Sequence, residues 1–146
     1  MIDAAEHALP AFRWRTRVYW EDTDAGGVVY HAGYLRFLER ARTEWMRAAV
    51  MGQDALRRLH GIVFVVRELR IAYDKPARLD DELDTTVQVG RQRSASLDLG
   101  QTITRVADGV TLARADVKVA CVDAQAFVPR RIPQDIAVLI EGSTQA

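Results

Sequence analysis

The stretch from Trp20 to Tyr34, WEDTDAGGVVYHAGY, gathers three acids (Glu21, Asp22 and Asp24), the glycine pair Gly26-Gly27 and one histidine, His31. Residues of these types at this spacing suit three kinds of chemistry. The first is metal binding. Asp22-Thr23-Asp24 opens like a calcium loop, but the fifth position is Gly26 and the twelfth is Gly33, where oxygen ligands are required. Zinc needs several His or Cys ligands, and His7, His31 and His60 are scattered with no pair at ligand spacing. The second is phosphate binding. Gly26 and Gly27 fit neither the dinucleotide fingerprint nor the P-loop, and no Lys follows them.

The third is acid–base or nucleophilic catalysis, set against a plain structural reading. A strand-to-helix connection collects Asp and Gly, and the helix dipole favours acids near a helix start. Val28, Val29 and Tyr30, however, follow the glycines directly, so the loop is expected to turn inward. An acid carried with it loses hydration, its pKa rises, and it becomes a candidate base or nucleophile. The glycines allow close approach or left-handed angles. The N–H groups from His31 to Tyr34 open a helix and can stabilise a developing oxyanion. A carboxylate beside such donors suits acyl transfer. The His31 side chain reads equally well as a surface histidine at the helix start.

The elements that must position these residues are legible from periodicity. Phe12 to Trp20 alternates apolar and basic residues, as a half-buried strand does. From Tyr34 to Val50 the period lengthens: Tyr34, Phe37, Leu38, Ala41, Trp45 and Ala48 fall on one helical face, with Gly52 expected as a left-handed cap. Arg40 and Glu44 are spaced for a helix-surface ion pair. Val63, Val65, Leu69, Ile71 and Tyr73 mark a strand that stops at Lys75-Pro76. Leu83 to Val89 and the run through Leu97, Leu99 and Ile103 make two more. Asp108-Gly109 turns into a last strand, Thr111 to Val122, and a short helix is expected after Pro133. Hairpin-joined strands and one long helix give an α+β domain with an antiparallel sheet, whose open edges invite pairing of subunits.

Composition narrows the function classes. The chain has 146 residues, 49% apolar and 27% charged, enough for one domain with a buried core. Residues 1–11 read as a loose leader. Lys+Arg and Asp+Glu are 20 each, so no broad basic footprint for nucleic acid exists. No run approaches the roughly 18 apolar residues of a membrane span, and the N-terminus lacks a secretory pattern, which points to a cytoplasmic protein. The lone Cys121, in an alternating strand segment, reads as a small buried hydrophobe.

The run VYWEDTDAGGVVYHAGYLRFLERARTEWM resembles the signature of hotdog-fold acyl-CoA thioesterases of the 4-hydroxybenzoyl-CoA thioesterase type, and more closely their YbgC subgroup, associated with the Tol-Pal system. FVVRELRIAYDKPARLDDELD, the SLDL strand and VKVACVD extend the likeness over nearly the whole chain. The resemblance implies a hotdog fold, a five-stranded antiparallel sheet wrapped around one long helix. It implies an acyl-CoA or acyl carrier protein thioester as substrate, no cofactor, and a homodimer or homotetramer with its site between subunits. It assigns the catalytic carboxylate to Asp24 and carbonyl polarisation to the His31 N–H, and counts the His31 side chain as important. The subgroup's second tyrosine before the acids falls at Trp20, whose indole donates one hydrogen bond but is neither acid nor base. Tyr19, one residue earlier, points the other way if the strand continues.

On this reading Asp24 either attacks the thioester carbonyl or activates a water, and the thiolate leaves without a strong general acid. Tyr19, Trp20, Gly27 and Tyr34 are candidate substrate contacts. Arg91 and Arg93, and also Arg130 and Arg131, are candidates for the Coenzyme A phosphates. Two rivals share the scaffold. Hydratases or dehydratases of acyl thioesters place a His on the central helix, and the helix from Tyr34 to Val50 has none. A non-catalytic thioester- or protein-binding module is the other.

Overall fold

The structure, a computed structural model, describes residues 12–143. The expected leader, residues 1–11, lies outside them. Five strands, β1 (Phe12–Arg17), β2 (Ile62–Tyr73), β3 (Glu82–Gln92), β4 (Ser96–Arg105) and β5 (Thr111–Asp123), form one sheet in the order β1-β3-β4-β5-β2. Every neighbouring pair is antiparallel. Helix α1 (Tyr34–Ala49) packs on one face, joined by α2 (Gln53–His60) and the closing α3 (Gln134–Gly142). No described helix is long and apolar enough to cross a membrane.

The apolar stripe of α1 buries Tyr34, Phe37, Leu38, Ala41 and Trp45 against the sheet, each large side chain contributing about 2 kcal/mol of transfer free energy. Ala48, expected on that stripe, is exposed. Met46 is buried instead and lines a small hollow with Gln53 and Phe64. The inward residues Leu83 and Val87 of β3, Leu97, Leu99 and Ile103 of β4, and Val117, Val119 and Cys121 of β5 complete the core. Burial raises the pKa of the Cys121 thiol, with Arg130 opposing.

Among the described residues two inward positions are polar, Thr85 of β3, whose buried hydroxyl has no hydrogen-bond partner, and Gln101 of β4. Gln101, only 2% exposed, sits between Leu99 and Ile103 and ties sheet to helix. Its Nε2 donates to the Leu38 and Thr86 carbonyls at 3.1 and 3.2 Å, and its Oε1 accepts from Arg42 Nη1 at 3.0 Å. Burial lowers the pKa of Arg42, partly offset by Glu39.

Other expectations are corrected at the loop and the helices. β1 ends at Arg17, and Trp20–Asp22 forms a 3-10 turn, so Tyr19 and Trp20 do not alternate on a strand. Helix α2 was not anticipated: only Leu56 of its eight residues is buried, too little for a visible stripe. Gly52 is extended and precedes α2, while the left-handed cap is Gly61, with φ 66°. On the surface of α1, Glu44 pairs with Arg47 rather than Arg40.

In β2 a bulge between Val66 and Glu68 leaves Arg67 without an opposite number on β5. Parity changes there. Ile62 and Phe64 face inward before the bulge, and Leu69 and Ile71 after it, opposite Val117 and Ala115. The continuous face expected from Val63 to Tyr73 is therefore two half-faces joined by an extra residue.

Candidate active site

Between β1 and α1 the chain builds a miniature frame. Val18 is buried and exchanges hydrogen bonds with residues 80 and 81: its N–H donates to the Asp81 carbonyl, and its own carbonyl accepts from Asp80. Asp22 Oδ2 accepts the Tyr19 N–H at 2.8 Å and so closes the 3-10 turn. Its acid is structural. Thr23 then pairs with Val29, and Val28 with Arg78, making a small hairpin stitched to the loop after β2.

Asp24 stands at the corner of that hairpin. Its N–H donates to the Val28 carbonyl at 2.9 Å, and its carbonyl accepts the Gly27 N–H at 3.0 Å. Gly27 takes φ 78°, the left-handed residue that this three-residue hairpin loop requires. Asp24 Oδ1 accepts the Gly26 N–H at 2.8 Å, an Asx turn that fixes the side chain. Among the described residues, Oδ2 makes no hydrogen bond. Only Val29 of the apolar trio is buried; Val28 is half-buried, and Tyr30 and Asp24 are exposed. The expected desolvation of the acid is thus absent within one chain, because the hairpin's alternation turns Val29 inward and its neighbours outward.

His31 opens the 3-10 turn His31–Gly33 that leads into α1. The His31 and Ala32 amides lie at the start of that turn, where N–H groups have no intrahelical acceptor. The carbonyls behind these amides are held. Tyr30 O accepts the Gly33 N–H at 2.7 Å, and His31 O accepts the Tyr73 hydroxyl at 2.7 Å. A Cβ on Gly33 would stand 3.3 Å from Val29 Cγ1, so this glycine lets the helix start lie close against the hairpin.

The exposed His31 ring packs 4.5 Å from Tyr30 and edge-on to Tyr73 at 6.4 Å. Beside it opens a cleft of about 280 Å³ lined by Val29, His31, Tyr34, Tyr73, Asp74, Lys75 and Pro76. Tyr34 is buried beneath, its hydroxyl accepting the Ala77 N–H at 2.9 Å. Asp74 is paired with Arg114, whose guanidinium holds the carboxyl below its usual range. Burial, and then Tyr34, raise the Tyr73 phenol.

The structure brings His31 and Tyr34 into this cleft. Asp24 and Gly27 sit on the neighbouring hairpin, outside its lining, and Tyr19 and Trp20 lie exposed on the preceding turn, Trp20 by 80%. Arg91 and Arg93 are not brought to it. Arg91 lies near the end of β3 and Arg93 just past it, about 30 Å along the strand from Glu82 at the usual strand rise. Arg93 is taken up by Asp98 in a two-contact pair. Arg130 clamps Gly61 and Asp123 at that same distant end. Tyr73, Asp74 and Lys75 were missed as site residues. Their one sequence signal is position, at the end of a strand halted by Pro76.

The chain that carries this arrangement, a carboxylate on a glycine hairpin beside helix-start amides, is similar to known proteins along most of its length. Residues 18–140 match the thioesterase-like superfamily. An acyl-CoA thioester hydrolase, YbgC, of Escherichia coli O6:H1 is 47% identical over 125 residues, which cover 86% of this chain and 92% of its own. The chain belongs to the thioesterase-like superfamily. An acyl-CoA thioesterase YbgC of Haemophilus influenzae is 43% identical over 86% of this chain and 90% of its own. Among solved structures, a probable thioesterase from Bartonella henselae superposes with a TM-score of 0.80 at 34% identity, over 85% of this chain and all of that one. The hotdog arrangement of the thioesterase-like superfamily, a long helix against a five-stranded antiparallel sheet, is the one described above.

Proposed function

We propose that this chain hydrolyses acyl-CoA thioesters at the start of α1, with Asp24 as the catalytic carboxylate. The observation that carries the reading is the pair of amides at His31 and Ala32, both backed by held carbonyls and both next to the hairpin that bears Asp24. Donors fixed before the reaction are what a tetrahedral oxyanion needs. The similarity to relatives named acyl-CoA thioester hydrolase supplies the substrate class.

In this scheme the thioester carbonyl oxygen meets the helix-start amides. Asp24 Oδ2 is the oxygen left to act. As nucleophile it attacks the carbonyl carbon, the C–S bond breaks, the CoA thiolate leaves, and water hydrolyses the mixed anhydride. As base it takes a proton from water, and the hydroxide adds instead. His31 orients the acyl group from the cleft wall. Lys75, the cation lining the cleft, faces the anionic carrier, whether CoA or acyl carrier protein. An acyl-CoA substrate is consistent with the cytoplasmic location expected from the sequence.

Two copies complete the site. β2 is an edge strand of twelve residues with Val66 and Tyr73 about half exposed, whereas the other edge, β1, is six residues long and carries Arg13, Arg15 and Arg17. Both edges carry charges, Arg67, Glu68 and Arg70 on β2 among them, but the longer edge offers twice the unpaired backbone, so subunits pair through β2 and the dimers assemble further. Such pairing covers the open cleft and removes Asp24 from bulk water.

The test is thiol release across a panel of acyl-CoAs. Asp24→Ala is expected to abolish turnover while the protein stays folded; retained activity refutes the assignment. A single turnover in ¹⁸O-water traps the nucleophilic route: water entering the anhydride at Asp24 Cγ leaves the first product unlabelled and labels the enzyme, whereas a base mechanism, like water entering at the acyl carbon, labels the product at once.

A further inference from the structure

Resting on the reading of the helix start as the carbonyl-binding site, we infer that Tyr73 is a positioning residue that fixes the Ala32 N–H as a second donor to the thioester oxyanion, beside the N–H of His31. In a trans peptide, C=O and N–H point in opposite directions within one plane. Holding the oxygen from behind therefore aims the hydrogen forward. The two peptide units at the helix start are held in this way by different means. The Tyr30–His31 unit is held locally, its oxygen taken by the Gly33 N–H of the same turn at 2.7 Å. The His31–Ala32 unit is held by the Tyr73 hydroxyl at 2.7 Å, from a residue 42 positions along the chain.

That second tie spans two elements: Tyr73 is the last residue of β2, in register with Ala113 of β5. Its ring meets Tyr34 edge-on at 5.3 Å, and Tyr34 is itself fixed by the Ala77 N–H. The hydroxyl is thus delivered by the sheet, and the sheet sets the angle of the Ala32 amide. A hydrogen bond on a carbonyl oxygen also polarises the peptide and strengthens its N–H as a donor. The raised pKa of Tyr73 keeps its proton in place through the neutral range.

The test is Tyr73→Phe in the full chain, a change that deletes the hydroxyl and leaves the ring on Tyr34. Steady-state acyl-CoA hydrolysis gives kcat and KM. The infrared carbonyl band of acyl-CoA bound to an Asp24→Asn background reports the donors directly. Removing an oxyanion donor outright lowers kcat by about 10²–10³-fold. Tyr73 acts through the peptide and loosens the donor without deleting it, so a fall of about tenfold in kcat with little change in KM is expected. The carbonyl band should move back toward that of free acyl-CoA. Unchanged kcat, or a loss confined to KM with the band unmoved, overturns the inference. If Asp24→Ala is inactive while Tyr73→Phe turns over like wild type, this inference fails alone. If Asp24→Ala keeps full activity, the reading of the site fails and this inference with it.

Discussion

The hairpin carrying Asp24 depends on one backbone angle, and Gly27→Ala tests it. A Cβ at Gly27 would meet nothing within 4 Å, so the substitution introduces no clash. Its whole effect is conformational. At φ 78° an L-residue is in the left-handed region, which costs about 1–2 kcal/mol relative to glycine. The Gly27 N–H to Asp24 carbonyl bond and the Asp24 N–H to Val28 carbonyl bond both require that angle. A penalty of about 1 kcal/mol shifts the balance between closed and open hairpin roughly fivefold. If the penalty is carried by the whole fold, it lowers Tm by about 3 °C for a chain of this length. Urea denaturation and thiol release, run side by side, distinguish a global cost from a local opening. Gly27→Ala is expected to reduce kcat/KM several-fold if the hairpin opens locally, and to lower the urea midpoint with kcat/KM little changed if the whole fold carries the cost. Gly27→Asn, which tolerates left-handed angles, should recover most of it. If Gly27→Ala matches wild type in both assays, or if Asn is worse than Ala, the angle is not what holds Asp24 in place.

Two further outcomes follow from the core and the surface pairs. Gln101→Leu leaves the half-buried Arg42 guanidinium without its acceptor and the helix without its tie to β4, and should cost about 1–3 kcal/mol in urea unfolding. Stability against pH should be flat from neutrality down to about pH 4 and then fall. Asp74, Asp98 and Asp108 are held below the usual carboxylate range chiefly by side-chain hydrogen bonds from Arg114, Arg93 and Arg105. Groups depressed in the folded state contribute fully above their unfolded pKa and lose that contribution as pH falls through the folded value. Thermal melts from pH 7 to pH 3 measure it, and Asp108→Asn should shrink the drop.

Periodicity carried most of the fold because the strands and α1 each bury one face against a single layer. It failed where burial was slight or parity broke. Helix α2 exposes most of its surface, and its arginines Arg57 and Arg58 pair with Asp54 in water rather than marking a core face. In β2 the alternation is real on both sides of Arg67, but one unpaired residue reverses its phase. A bulge has no side-chain signature of its own, so alternation alone makes Val63 and Val65 partners of Leu69 and Ile71, whereas they face the other way.

The site was legible to the extent that it is local. Asp24, Gly27 and His31 fall within one short run, and the hydrogen bonds of the hairpin and helix start join residues close in sequence. Tyr73 reaches the same place only through the sheet, and no spacing within the chain points from residue 73 to residue 31. The apolar trio misled for a related reason. Val28-Val29-Tyr30 counts as an inward run only if all three residues turn the same way, and a hairpin alternates them. Among the described residues Asp24 is therefore exposed and faces water in a single chain. The chemistry proposed for it calls for a cover. The long, partly apolar edge of β2, which ends at Tyr73 on the wall of the same cleft, is the surface through which a second copy would bring one.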